Sequence, residues 1–277
     1  MEIKKSSRSD VKVKIALTGV AGSGKTYSSL LLAEGLSSSF DKVCLIDSEQ
    51  GSSNLYSHLG VFNVITLEPP FSPEKYIQAI EKCKDEGMEV VIIDSISHCW
   101  EFLLQAHASL VGNSFTNWGK ITPRHDAFVQ SILQSDMHII ATMRTKSGYV
   151  LNQVKGKYVP EKVGMRTIQR DGIDYEFTTL FDLDANHKAT ATKDRTNLFE
   201  KGKIFQLDTS IGSKLSNWCR GDTDILSQRI KETKSISELM LLFNSNPKSQ
   251  KTHGDLYKQQ QLDLQDAGSN GREASHG

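Results

Sequence analysis

Short, nearly continuous apolar runs alternate with mixed, helix-length stretches through the first half of the chain. "VKIALTG" (13–19), "KVCLID" (42–47), "MEVVIIDS" (88–95) and "MHIIATM" (137–143) have strand length and few polar interruptions, the pattern of strands buried on both faces of a parallel sheet. "FNVITLE" (62–68) is a candidate further strand. Between the runs, "YSSLLLAEGL" (27–36) reads as a helix, and two more helices are expected to open on an N-cap followed by proline, at Ser72 with Pro73 and at Thr122 with Pro123. Strands alternating with helices at this spacing predict an α/β fold, a mostly parallel twisted sheet with helices on both faces.

The rhythm changes after Met143. Residues 146–166, "KSGYVLNQVKGKYVPEKVGMR", carry scattered glycines, no helical period and many cations, and read as a long mobile loop. From Asp174 to Phe205 the texture is strand-like, with "ANHK" as a hairpin turn, so an antiparallel extension of the sheet is expected. Helices resume near residue 224, where "SISELMLLF" carries a capping box of Ser235 with Glu238. The tail "DAGSNGREASHG" has a disordered composition. The expected organisation is an N-terminal arm (1–10), a main domain built on the sheet (11–222), a small helical C-terminal region (223–262) and a disordered tail (263–277).

Composition narrows the classes. With 38% apolar and 24% charged residues, the chain can bury one good core. Lys plus Arg balances Asp plus Glu at 33 each, so an argument for nucleic acid has to rest on local charge. Cys44, Cys83, Cys99 and Cys219 are widely spaced and read as buried thiols in a reducing compartment. The start lacks a signal-type apolar region, and no stretch approaches the roughly 18 apolar residues of a membrane span. A cytoplasmic protein without a membrane partner is expected.

The strongest chemical signal is "GVAGSGKT", which matches G-x-x-x-x-G-K-[ST] in full and lies between a strand and a helix. Gly19, Val20, Ala21, Gly22, Ser23, Gly24, Lys25, Thr26 and Tyr27 are the candidate nucleotide-binding residues. Backbone N–H groups would curl around phosphates at a helix N-terminus, Lys25 would reach the β and γ phosphates, and Thr26 would ligate Mg²⁺. Asp94, at the end of "VVIIDS", is placed to complete the Mg²⁺ shell. ATP and Mg²⁺ are therefore the expected ligands. Many P-loop ATPases put a glutamate directly after that aspartate, whereas here the position is Ser95. In "CLIDSEQGSS", Asp47 ends a strand and Glu49 follows two residues later, so Glu49 is the candidate water-activating carboxylate at the carboxyl edge of the sheet.

A P-loop, a strand ending Asp-x-Glu and "VVIIDS" before a helix together resemble the RecA-type recombinase core, a RecA-like P-loop NTPase. "IIATMRTK" (139–146) resembles that family's strand leading into a DNA-binding loop, and "ATKDRTNLF" (191–199) its late strand bearing two cations, here Lys193 and Arg195. "DSISHCW", "ATMRTK", "DYEF" and "KDRTNLF" together are similar to phage-encoded RecA-core ATPases of single-strand annealing. The resemblance spans roughly residues 11–206. It implies that Lys193 and Arg195 act in trans on nucleotide at the interface of a homo-oligomer, and that residues 146–166 contact single-stranded DNA. It also implies that a single-strand-binding protein is a candidate partner, and that the compartment is a bacterial host's cytoplasm. Thr142 stands where the family has a γ-phosphate-sensing glutamine. The first strand begins about a dozen residues into the chain, so a filament-building N-terminal element is not expected.

Local charge agrees with a nucleic-acid surface. Arg144, Lys146, Lys155, Lys157, Lys162, Arg166 and Arg170 face one anion, Glu161, within residues 144–170; all but Arg170 are candidate DNA contacts. Tyr149 and Tyr158 interleave with them, and a stacked base is worth ~1–3 kcal/mol. Three other readings share the P-loop. A small-molecule kinase needs an Arg-rich lid and acceptor pocket, and a partition-type ATPase needs an extra Lys within "GVAG". An oligomeric ATPase or nucleotide switch not acting on DNA needs neither.

Overall fold

The computed structural model describes residues 11–154, 157–220, 225–247 and 253–273, with backbone alone at 148–154, 157–164, 225–226, 228 and 266–273. Six strands run parallel: β1 (Lys14–Gly19), β2 (Val43–Asp47), β3 (Asn63–Thr66), β4 (Val90–Asp94), β5 (His138–Val154) and β7 (Thr179–Leu183). β6 (Lys157–Thr167) pairs antiparallel with β5, while β8 (Ala189–Asp194) and β9 (Ile204–Phe205) extend the β7 edge antiparallel. The order β3-β2-β4-β5-β1-β7-β8-β9 puts β5 between the strand that enters the P-loop and the strand that ends in Asp94. The expected parallel α/β sheet with an antiparallel extension is the observed fold.

Alternation along each strand divides the core in two. Ala16, Ile46, Val91, Ile93, Ile139 and Ala141 pack under α2 (Pro73–Asp85), α3 (Ser97–Ala108) and α4 (Ser114–Gln134). Their neighbours Ile15, Leu17, Leu45, Ile92 and Ile140 pack under α1 (Lys25–Leu36) and α5 (Thr209–Arg220). A strand buried on both sides has no solvent face, which is why its sequence reads as an unbroken apolar run. α1 and α5 cross closely: a Cβ on Gly212 would lie 2.2 Å from the Leu32 carbonyl oxygen, and one on Gly35 2.0 Å from that of Thr209.

Three local expectations give way to longer-range packing. α4 does not open at Thr122; it starts after Asn113, whose side chain accepts from the Phe115 and Thr116 N–H groups, and Pro123 lies inside it. An interior proline costs about 3 kcal/mol, but Ile121, Phe128 and Ile132 from the same helix are almost fully buried and contribute about 1.5–3 kcal/mol each. The segment 146–166 is not a loop but most of the β5–β6 hairpin, registered from Thr145 opposite Thr167 to Val154 opposite Lys157. Residues 263–273, within the tail read as disordered, belong to helix α8 (Gly254–Glu273).

One compact unit ends at Cys219 and a second begins at Arg220. The second contains α6 (Ile225–Glu232), α7 (Ile236–Ser245) and α8, packed around Ile230, Leu239, Leu242 and Tyr257. The capping box opens α7, with Ser235 Oγ accepting from the Glu238 N–H. All four cysteines are buried free thiols, as expected. Among the described residues no helix is long and apolar enough to cross a membrane.

Candidate active site

The site lies on one edge of the sheet, where β1 and β4 end, β5 passes on into the hairpin, and a turn follows β2. Between β1 and α1, the P-loop closes around the start of the helix. Gly24 has φ +82°, a left-handed conformation that favours glycine. The Lys25 ammonium donates to the carbonyls of Gly19 (3.0 Å) and Val20 (2.8 Å). Burial lowers its pKa, and the nearby Asp94 and Glu49 carboxylates oppose that shift. Ser23 Oγ is buried with no hydrogen-bond partner among the described residues.

Asp94, 3% exposed, sits at the centre. Its Oδ2 accepts from Thr26 Oγ1 and its Oδ1 from Thr142 Oγ1, both at 2.5 Å. Burial raises its pKa, while the two hydroxyl donors pull it down. Thr142 faces Leu17 of β1 and is fully buried. Its hydroxyl is thus engaged with the carboxylate of Asp94.

The two acids after β2 have separate tasks. Asp47 accepts from the N–H groups of Glu49 (2.6 Å) and Ser53 (3.1 Å) and from Ser53 Oγ (2.5 Å), so it folds the turn in which Gln50 and Gly51 take positive φ. That turn aims Glu49 into the pocket. Ser95 Oγ donates to Glu49 Oε1 at 3.2 Å, so the residue directly after Asp94 touches the carboxylate that its own position lacks. Ser48 Oγ bonds His98 Nδ1 at 2.8 Å, Phe71 stacks on His98, and His98 Nε2 lies 3.9 Å from Glu49 Oε1.

Arg144 departs from expectation most. Instead of facing a nucleic-acid surface, its guanidinium grips Glu49 as a two-pronged ion pair, Nε to Oε1 at 3.0 Å and Nη2 to Oε2. Ala21, Gly22, Gly24, Lys25, Thr26, Glu49, Asp94 and Arg144 line one cavity of about 460 Å³, within the range of small-molecule sites. Ser52, Tyr56, Thr145 and Ile168 complete the lining and were missed from sequence. Only the position of Ser52 in the Asp47-anchored turn hinted at its role. Tyr27 lies beside this wall, its ring 5.9 Å from that of Tyr56.

The remaining candidates lie elsewhere. Lys193 Nζ donates to the carbonyls of Asp174 (2.7 Å) and Tyr175 (2.6 Å), and Arg195 Nη2 to that of Tyr175 (2.7 Å). Lys193 lines a second cavity with Arg166, Arg170 and Asp174. Arg166 pairs with Asp171 and Arg170 with Asp126. Lys146 stands opposite Arg166 on the hairpin. Lys155 and the side chains of Tyr149, Lys157, Tyr158 and Lys162 lie outside the described residues.

The donor set fits Mg²⁺ bound together with a triphosphate. Among the described residues no cluster of three or more His, Cys, Asp or Glu could hold a metal alone, and Mg²⁺ characteristically takes one or two protein oxygens, with phosphates and water supplying the rest. Thr26 Oγ1 and Asp94 Oδ2, already hydrogen-bonded to each other at the start of α1, would be those oxygens. No curated protein matches the chain. Residues 11–210, which hold the whole sheet and this pocket, match the family model of the AAA domain, and the protein belongs to that family of P-loop ATPases.

Proposed function

We propose that the protein is a Mg²⁺-dependent ATP hydrolase of RecA-core type whose turnover is coupled to single-stranded DNA held along the β5–β6 hairpin, and that it serves strand annealing or recombination. The observation that carries this reading is the course of β5. One strand holds Asp94 through Thr142, supplies Arg144 to the nucleotide pocket, and then continues directly as the cation-rich hairpin. A ligand on the hairpin and a nucleotide in the pocket would pull on the same backbone. Lys25 and the P-loop N–H groups would hold the phosphates, and Thr26 and Asp94 would hold Mg²⁺, which supplies charge neutralisation at the transferring phosphoryl group. Glu49 would orient the attacking water and accept its proton. Lys193 and Arg195, which do not line the cavity of their own chain, suit action on the nucleotide of a neighbouring copy.

The test is ATP hydrolysis with and without single-stranded DNA over a salt series. Stimulation that fades with salt is expected. Neutralising Lys155, Lys157 and Lys162 should flatten the salt dependence of binding by about 0.7 log unit for each DNA phosphate that is no longer neutralised. Hydrolysis indifferent to DNA at every salt concentration would favour an oligomeric ATPase or nucleotide switch not acting on DNA.

A further inference from the structure

We propose that Arg144 is a γ-phosphate-responsive positioning residue: it holds Glu49 while the pocket lacks a triphosphate and transfers its guanidinium to the γ phosphate when ATP binds, releasing Glu49 to orient water. The inference rests on the ATP hydrolase reading above and adds to it how the carboxylate is controlled.

The geometry points to such an exchange. Glu49 can serve as a base only through a lone pair, yet Arg144 occupies one oxygen through Nε and the other through Nη2, and Ser95 Oγ donates to Oε1 as well. A carboxylate gripped through both oxygens, with three of its roughly four lone-pair sites taken and its charge shared with a guanidinium, is a poor proton acceptor. A phosphate offers the same fork two oxygens and more negative charge. The exchange needs no movement of the strand. The Arg144 backbone is fixed on both sides, its N–H donating to Ser97 Oγ at 3.0 Å and its carbonyl accepting from the Ile168 N–H at 2.8 Å. The side chain is the free part, 38% exposed against 23% for Glu49. Register puts Arg144 opposite Gly19, the first residue of the P-loop, so phosphates cradled by that loop come to the level of the guanidinium. The Ser95 hydroxyl stays on Glu49 after Arg144 leaves and fixes its direction.

The exchange predicts discrimination between nucleotides that a merely structural ion pair would not produce. Binding of Mg²⁺-ADP and of a non-hydrolysable Mg²⁺-ATP analogue is measured by calorimetry for wild type, Arg144→Ala and Glu49→Gln. Arg144→Ala should bind ADP within about threefold of wild type, bind the analogue at least tenfold more weakly, and lose turnover. Glu49→Gln weakens the competing grip on Arg144, so it should bind the analogue about fivefold more tightly, the difference between a charge-assisted and a neutral hydrogen bond, with ADP unchanged. The two variants therefore move the same affinity in opposite directions. Equal losses for ADP and analogue in Arg144→Ala, or an analogue affinity in Glu49→Gln no higher than in wild type, overturns the proposal. If Arg144→Ala does not fold, the Glu49→Gln arm decides alone. Wild type that binds neither nucleotide would instead overturn the ATP hydrolase reading itself.

Discussion

Replacing Asp94 with Asn should stabilise or leave unchanged the protein without nucleotide while removing most of its stabilisation by Mg²⁺-ATP. The carboxylate is 3% exposed, and burial raises its pKa. A carboxyl group whose folded pKa is raised contributes stability below its unfolded pKa near 4 that is lost as pH rises through the folded value. At neutral pH the ionised form is therefore a burden, and Asn is nearly its shape. The hydroxyls of Thr26 and Thr142 can turn to accept from an amide as readily as they donate to a carboxylate. With ligand the balance reverses, because Asp94 would share the Mg²⁺ charge with Thr26. At a nucleotide concentration 100 times the wild-type Kd, binding stabilises by about 2.7 kcal/mol, or about 5–10 °C in Tm for a domain of this size. A loss of about 100-fold in affinity, the upper end for altered metal-site partners, leaves about 0.4 kcal/mol and about 1 °C. Thermal unfolding with and without Mg²⁺-ATP reads both numbers. A variant that keeps the full ligand shift, or whose unliganded Tm collapses, refutes the assignment of Asp94 to metal holding.

Other consequences are equally direct. Gly212→Ala should destabilise by at least about 1–3 kcal/mol in denaturant unfolding, because its methyl would meet the Leu32 carbonyl at 2.2 Å where α1 and α5 cross; an unchanged midpoint would mean the helices separate freely. Lys14, whose ammonium donates to the Ser135 and Met137 carbonyls, has a pKa lowered to about 8 by burial. Between pH 8 and about 10.5 the unfolded chain binds more protons, so this residue's contribution to stability rises with pH, and the stability difference between wild type and Lys14→Met should shift in favour of wild type across that window. Neutralising Lys193 and Arg195 together should abolish hydrolysis in every condition. Mixing that variant with Lys25→Ala should restore part of it, since a mixed interface combines an intact P-loop with intact cations.

What sequence conveyed and what it hid divide by the range of the interactions. The P-loop is a local device, eight consecutive residues between strand and helix, so its residues could be named from pattern alone. Asp94 and Glu49 followed from the rule that ligands sit at the carboxyl ends of parallel strands. Arg144 escaped because its side chain belongs to two patterns at once. By charge it continues the cationic run of the hairpin, but its partner Glu49 is 95 residues away, and no local signal couples them. The hairpin escaped similarly: its glycines are local and suggest a loop, whereas the ladder from Thr145 to Val154 forms only when the returning strand supplies partners. At Pro123 the local rule was sound chemistry outweighed by the apolar stripe running through it from Ile121 to Ile132.

Single-turnover hydrolysis by Glu49→Gln, started with ATP already bound, tests the account most directly. The variant keeps the size and much of the hydrogen bonding of the glutamate but cannot take a proton from water, so ATP should remain bound while the hydrolysis step slows by about 10²–10⁴-fold. A step slowed less than about tenfold would contradict the assignment of Glu49 as the water-activating carboxylate.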